Sequence, residues 1–328
     1  MFRMKTILFV IIVLTMVLAA CQPAAPATPE KKVWTYKDMT VGVLQTGSEG
    51  GWRAANTKSF KETATQLGVN LKFYDSQNDL AKQVAGFQQF VQDPEVDVIV
   101  LQALEVTGWE QVMKDAKEAG KIVIVSDRRI DGLEGYFVTY IGADFTEEGR
   151  KAGNEMCKLL EGSDSKNVWE LVGNVGSSAA IDRGIGFRET AEKCGITVTK
   201  SQTANWSVVE GKQVTEAWLK ETKDVQGIFG QNDEMAFGAI EALKEAGLVP
   251  AQDVKLISVD ATGGAFQAML DGTLNVTVEC NPLLAPQVYE AALAALNGET
   301  LPAWIPSQES VFYMDDPNLK EIAAGRSY

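Results

Sequence analysis

Lys121-Ile122-Val123-Ile124-Val125-Ser126-Asp127-Arg128 places four β-branched apolar residues in a row and ends them on a serine, a carboxylate and a guanidinium. A run of this kind, with no polar alternation, suits a strand covered on both faces, as in a parallel sheet flanked by helices. Thr40 to Leu44, Val69 to Tyr74 and Val96 to Leu101 precede it with similar patterns, and Val168 to Val172, Ile196 to Thr199, Gly227 to Gly230 and Val254 to Val259 follow. Between these runs Trp52 to Leu67, Leu80 to Gln92, Trp109 to Ala119, Thr146 to Leu160, Ala179 to Lys193 and Glu234 to Ala246 carry helical periodicity. Gly68, Gly120, Gly195 and Gly247 stand where such helices should stop. The alternation predicts βαβ units and parallel sheets.

The rhythm breaks near Tyr136 to Asp144 and restarts, and 328 residues are too many for one ordinary core. Two Rossmann-like lobes joined by a hinge are expected: 38–142 plus about 281–300, and 143–280 plus about 301–328. A last helix near Leu283 to Leu296 leaves room for further crossings between the lobes.

At the start of the sequence, Arg3 and Lys5 precede an uncharged run from Thr6 to Leu18, and Leu18-Ala19-Ala20-Cys21 follows. Residues 1–20 have the pattern of a cleaved export signal, with an apolar run shorter than the roughly 20 residues a membrane-spanning helix needs. Residues 21–37 open on Cys21, and the Pro- and Ala-rich stretch from Gln22 to Lys32 reads as an extended tether. In an exported chain Cys157 and Cys194, each near the end of a predicted helix in the same half, are the expected disulfide, leaving Cys280 free; three buried thiols are the other arrangement.

The net charge of -14 speaks against nucleic acid or an anionic membrane surface as a partner. Histidine is absent, which removes Ser-His-Asp, Cys-His and His-metal chemistry. The loop Gly47-Ser48-Glu49-Gly50-Gly51 matches neither glycine-rich nucleotide fingerprint, and Glu49 would repel a phosphate. There is no G-x-S-x-G elbow. No cofactor or metal is expected.

Polar residues collect at the strand ends: Gln45, Asp75, Gln102 and Asp127 in the first half, Gln231, Asn232, Asp233 and Asp260 in the second. Ligands of open parallel sheets bind there, so two facing lobes would form a polar cleft. A sugar needs aromatic planes for its C–H faces and forked donors and acceptors for its hydroxyls. Asp127 and Arg128 offer both ends of such a fork, and Arg183 stands near the start of a helix. Asn232 is a candidate contact, with Asp233 the candidate helix cap; Asp260 reads either as a contact or as a cap. Trp52 follows a Gly-rich turn and Trp206 lies in the polar loop Thr203-Ala204-Asn205-Trp206-Ser207, so these two are candidate platforms. Packing is the expectation for Trp34, Trp109, Trp169, Trp218 and Trp304.

Five segments, Gly47-Ser48-Glu49-Gly50-Gly51-Trp52-Arg53-Ala54-Ala55, Thr107-Gly108-Trp109-Glu110, Ser126-Asp127-Arg128, Ala179-Ala180-Ile181-Asp182-Arg183 and Asn232-Asp233-Glu234-Met235, resemble in this order the type I periplasmic sugar-binding proteins. The first, second and fourth are most similar to the branch that binds galactofuranose. The resemblance implies a non-enzymatic, monomeric receptor that captures a monosaccharide for an ABC permease in the membrane. It places ligand contacts on Trp52, Arg53, Gln102, Asp127, Arg128, Arg183, Trp206, Asn232 and Asp260. Leu18 to Cys21 resembles a lipobox, which implies that Cys21 carries a lipid and that this anchor is the only membrane contact. Where ribose-binding relatives have Gln, this chain has Cys280 before Asn281-Pro282, a departure that argues against ribose. A sensor presenting its ligand to a receptor kinase or chemoreceptor would share the fold. A glycosidase built on Asp127 and Asp260 is disfavoured, because Arg128 would keep Asp127 ionised.

Overall fold

The computed structural model describes residues 32–48 and 50–328. The export signal, Cys21 and most of the tether lie outside the described residues, as does Glu49. Among the described residues no helix is long and apolar enough to cross a membrane.

The first lobe runs β1 (Thr40–Gln45), α1 (Gly51–Leu67), β2 (Asn70–Asp75), α2 (Leu80–Gln92), β3 (Val98–Leu101), α3 (Glu110–Glu118), β4 (Ile122–Ser126) and β5 (Thr139–Gly142). The chain then crosses into β6 and its companions: α4 (Phe145–Leu159), β6 (Asn167–Val172), α5 (Ser178–Ala191), β7 (Thr197–Thr203), α6 (Val208–Glu221), β8 (Gly227–Gly230), α7 (Asp233–Glu245), β9 (Lys255–Asp260), α8 (Gly263–Leu270) and β10 (Val276–Glu279). It returns for α9 (Ala285–Leu296) and β11 (Trp304–Pro306), and crosses again to β12 (Val311–Tyr313) and α10 (Leu319–Gly325).

Two six-stranded sheets result, ordered β11-β5-β4-β3-β1-β2 and β12-β10-β9-β8-β6-β7. Every pairing is parallel except β10 with β12. The expected lobe boundary near residue 301 needs correction. Because β11 pairs with β5, residues 301–306 complete the first sheet and the third crossing comes at Ser307–Ser310.

The apolar runs form strands because both faces of each sheet are covered. Val98, Val100 and Ile124 pack to one side of the first sheet with α1 and α9, while Ile99, Leu101, Val123 and Val125 pack to the other with α2 and α3. The four stop glycines hold left-handed φ of 69° to 79°. Cys157 and Cys194 are bridged between the end of α4 and the turn after α5, with Cα atoms 6.0 Å apart, and Cys280 is a buried free thiol. Trp109, Trp169 and Trp218 are core residues, but Trp304 departs from the packing expectation: it stacks on Tyr140 at an edge of the first sheet and stays 41% exposed.

Candidate ligand-binding site

The carboxyl ends of the two sheets face each other around a tight cavity of about 30 Å³, lined by Trp52, Arg53, Asp127, Arg128, Phe145, Ala179, Arg183, Trp206, Asn232, Asp260 and Cys280. Eight of the nine contacts expected from the sequence lie on its wall.

Gln102 is the exception. It is wholly buried at the end of β3, one layer behind the wall, where its Oε1 accepts from Arg53 Nη1 at 3.1 Å and its Nε2 donates to Asn56 Oδ1 at 2.9 Å. Arg53 is thereby steered onto Asp127, with Nη2 2.7 Å from Oδ2. Trp52 and Arg53 sit on successive residues at the start of α1, so the indole reaches over to the second lobe, donates to the Cys280 carbonyl at 2.7 Å and packs in that lobe's core.

Several site residues occupy left-handed backbone. Asp127 has φ 62°, Asn205 48°, Trp206 61°, Asp260 119° and Ala261 57°. Such conformations cost about 1–3 kcal/mol each and persist only where surroundings hold them. At Asp127 the bond from Tyr140 Oη to its carbonyl, 2.6 Å, and its own N–H to Ile141 O, 2.9 Å, do so. Beyond Asp260, Arg326 Nε bonds Ala261 O at 2.7 Å and the Thr277 hydroxyl accepts from Ala261 N at 3.1 Å.

Arg183 lies in the second turn of α5 and is almost wholly buried. Its Nε donates to Glu148 at 2.7 Å, its Nη1 to the Gln231 carbonyl at 2.7 Å, and its Nη2 stands 3.6 Å from Asp260. Burial alone would lower its pKa, but Glu148, Cys280 and Asp260 together hold it above the usual guanidinium value. Burial pushes Asp260 well above the ordinary carboxylate range; Arg183 opposes the shift while Asp233, Glu234 and Glu148 add to it. The carboxylate is thus placed to gain from hydroxyl donors of a ligand. Arg183 and Arg128 both lie against the Trp206 ring, with guanidinium carbons 5.8 and 5.5 Å from its centre. Trp206 Nε1 is buried with no acceptor among the described residues.

The capping expectations change. Asn232 is itself the N-cap of α7, its Oδ1 accepting from Met235 N at 2.9 Å, while its Nδ2 bonds the Trp206 carbonyl. Asp233 caps nothing: it is fully buried and accepts from Ser258, from both N–H and hydroxyl of Thr262, and from Thr277. Thr262 stands at the N-cap of α8, which frees Asp260 for the cavity.

Sequence reasoning missed three lining residues and the contacts that close the lobes. Phe145, Ala179 and Cys280 line the cavity, and Phe145 directly follows the N-cap Asp144 at the first crossing, a position the break near Asp144 could have flagged. Arg129 reaches from the first lobe to Asp182 of the second through two bonds of 2.9 and 2.8 Å. Val106 N bonds the Gly176 carbonyl at 2.9 Å. Glu234 accepts the first amide of α1, from Gly51, at 2.5 Å. Gly50, at φ 117°, makes that approach possible, since a Cβ there would come 2.3 Å from Glu234 Oε1. The lobes are closed on each other.

The periplasmic binding protein domain matches residues 41–300. The galactofuranose-binding protein YtfQ of Escherichia coli (strain K12) is 35% identical over 95% of this chain and 96% of its own length. Among solved structures, the binding component of the arabinose ABC transporter from Shewanella sp. ANA-3, bound to α- and β-L-arabinofuranose, has a TM-score of 0.84 and 36% identity over 88% of this chain and 96% of its own. A Mycobacterium smegmatis protein in complex with β-D-fucofuranose has a TM-score of 0.82 and 39% identity over 87% and 96%. With its two parallel-sheet lobes and the polar cavity between them, the chain belongs to the type I periplasmic sugar-binding proteins, the non-enzymatic solute receptors of ABC importers.

Proposed function

We propose that the protein captures a monosaccharide in its furanose form, with galactofuranose the foremost candidate, and delivers it as a monomer to an ABC permease while Cys21 holds it to the membrane by a lipid. The observation that carries this reading is the wall of the cavity. Two indoles, Trp52 and Trp206, stand with three guanidiniums and two carboxylates around the cavity between the lobes. Hydroxyls of the ring would accept from Arg53, Arg128, Arg183 and Trp206 Nε1 and donate to Asp127 and Asp260, while the indoles take its C–H faces. Ring form is the feature shared by the Shewanella and Mycobacterium ligands, and the likeness to YtfQ favours galactose as the sugar. Closure follows from differential affinity: the ligand touches both lobes only when they are shut.

Calorimetric titration with the methyl furanosides and methyl pyranosides of galactose, arabinose and fructose tests the proposal, because methylation locks ring form. Binding of a furanoside at least tenfold tighter than its pyranoside is expected. Equal or tighter pyranoside binding would refute furanose selectivity, and no binding of any would refute sugar capture. For the anchor, Cys21→Ala should release the protein from membranes and abolish incorporation of labelled fatty acid.

A further inference from the structure

Beneath the cavity floor lie two carboxyls that the site does not use. Glu148, fully buried on α4, accepts at Oε2 from Arg183 Nε, while its Oε1 is buried without a donor. Glu309 lies on the third crossing, where its Oε1 accepts from Ser307 Oγ at 2.8 Å and from Asn281 N at 3.3 Å. Ligand atoms of Glu148, Glu309 and Cys280 all fall within 4.8 Å of one another. Two carboxyls held this close and away from water resist being ionised together, and a proton on Glu309 would supply the donor that Glu148 Oε1 lacks. Arg183, the cation bonded to Glu148, also faces Asp260.

Resting on the sugar-capture reading, we propose that Glu148 and Glu309 are positioning residues for Arg183 and that Glu309, beside the donor-less Oε1 of Glu148, carries a proton in the closed protein, so that closing on a sugar takes up a proton. The groups around Glu309 are Glu148 and Lys151 of α4, Ser307 of its own crossing, Asn281 and Cys280 after β10, and Tyr140 of β5. Lys151 Nζ bonds the Glu309 main-chain carbonyl at 3.1 Å. Burial first, then the nearby charge of Glu148, push Glu309 up to about 10. Trp52 of the first lobe seals this corner by its bond to the Cys280 carbonyl. When the lobes part the indole leaves, water reaches the pair, and Glu309 relaxes toward the roughly 4.3 of an exposed glutamate. A group whose pKa is higher in the closed state favours closure below that value, and the benefit fades as pH rises toward it.

The test is calorimetric titration of the mature protein with the tightest-binding methyl glycoside of the panel, at pH 7.5, in phosphate and in Tris, whose ionisation enthalpies differ. Wild type is expected to take up about 0.5–1 proton per sugar, with Kd rising about three- to tenfold per pH unit between 6.5 and 8.5. Glu309→Gln, a neutral mimic of the protonated acid, should bind with a nearly flat Kd and take up about half a proton less or lower still. Ser307→Ala, which removes a donor to the charged carboxylate, should move the loss of affinity to higher pH and serves if Glu309→Gln fails to fold. Equal proton counts in wild type and Glu309→Gln, or no uptake by wild type, overturn this inference alone. A divalent ion retained at one per chain and required for binding also overturns it. Absence of binding by every glycoside overturns it together with the sugar reading.

Discussion

Gly173 lies just after β6, behind the indole of Trp206, and its replacement by alanine tests how the cavity is shaped. A Cβ on Gly173 would come 1.9 Å from both Cη2 and Cζ2 of Trp206. Carbon atoms rest about 3.5–4.0 Å apart, so the ring must retreat by about 1.5–2 Å. Trp206 lines the cavity and Gly173 does not, so the retreat is into the space a ligand would fill. In so tight a cavity there is little slack, and the ring would also shift against Arg128 and Arg183, which it now meets face-on. Overpacking of this kind costs about 1–3 kcal/mol of stability, and loss of the platform on a similar scale corresponds to about ten- to hundredfold in Kd. Gly173→Ala should therefore bind the best methyl furanoside about ten- to hundredfold more weakly in calorimetric titration while still unfolding cooperatively. A folded Gly173→Ala with Kd within about twofold of wild type would refute the placement of Trp206 against the sugar.

Arg183→Ala leaves Glu148 and Asp260 buried without their cation; a loss of about 3–5 kcal/mol in denaturant unfolding and no measurable sugar binding are expected. Removing the bridge with Cys157→Ser and Cys194→Ser together should cost about 4 kcal/mol, from a closed loop with a sequence separation of 37, and leave Kd unchanged, because the bridge is remote from the cavity wall. Glu234 is pushed up to about 7 by burial and by neighbouring Asp233, above its ordinary value of 4.5, so its contribution to folding is full below about 4.5 and fades as pH rises through about 7. Glu234→Gln keeps an acceptor for the Gly51 amide and should flatten the fall in thermal stability over that window; an unchanged pH profile would show that Glu234 does not titrate there.

The local code of this chain was legible where one residue's neighbours in sequence decide its state. Ile122 to Val125 could only be a doubly covered strand, Gly68 and Gly195 could only end helices cheaply, and Asp127 and Asp260 had to emerge at strand ends because the apolar runs stop there. Short segments resisted. β5, β10, β11 and β12 have only three or four residues each and, unlike the equally short β3 and β8, could not be told from their surroundings in the sequence; they are strands because neighbouring strands supply their hydrogen-bond partners.

What the sequence by itself determined was the pair of α/β lobes, the polar strand ends and the aromatic and charged types gathered there. Only tertiary structure decided which of them face the cavity. Gln102 and Asp233 end or follow strands just as Asp127 and Asp260 do, yet one braces Arg53 and the other ties four donors within the second lobe. Glu148, Glu309, Glu234 and the Arg129–Asp182 pair are unremarkable charges in the sequence. Their roles arise because closing two lobes brings together groups up to 183 residues apart and removes the water that would otherwise solvate each charge.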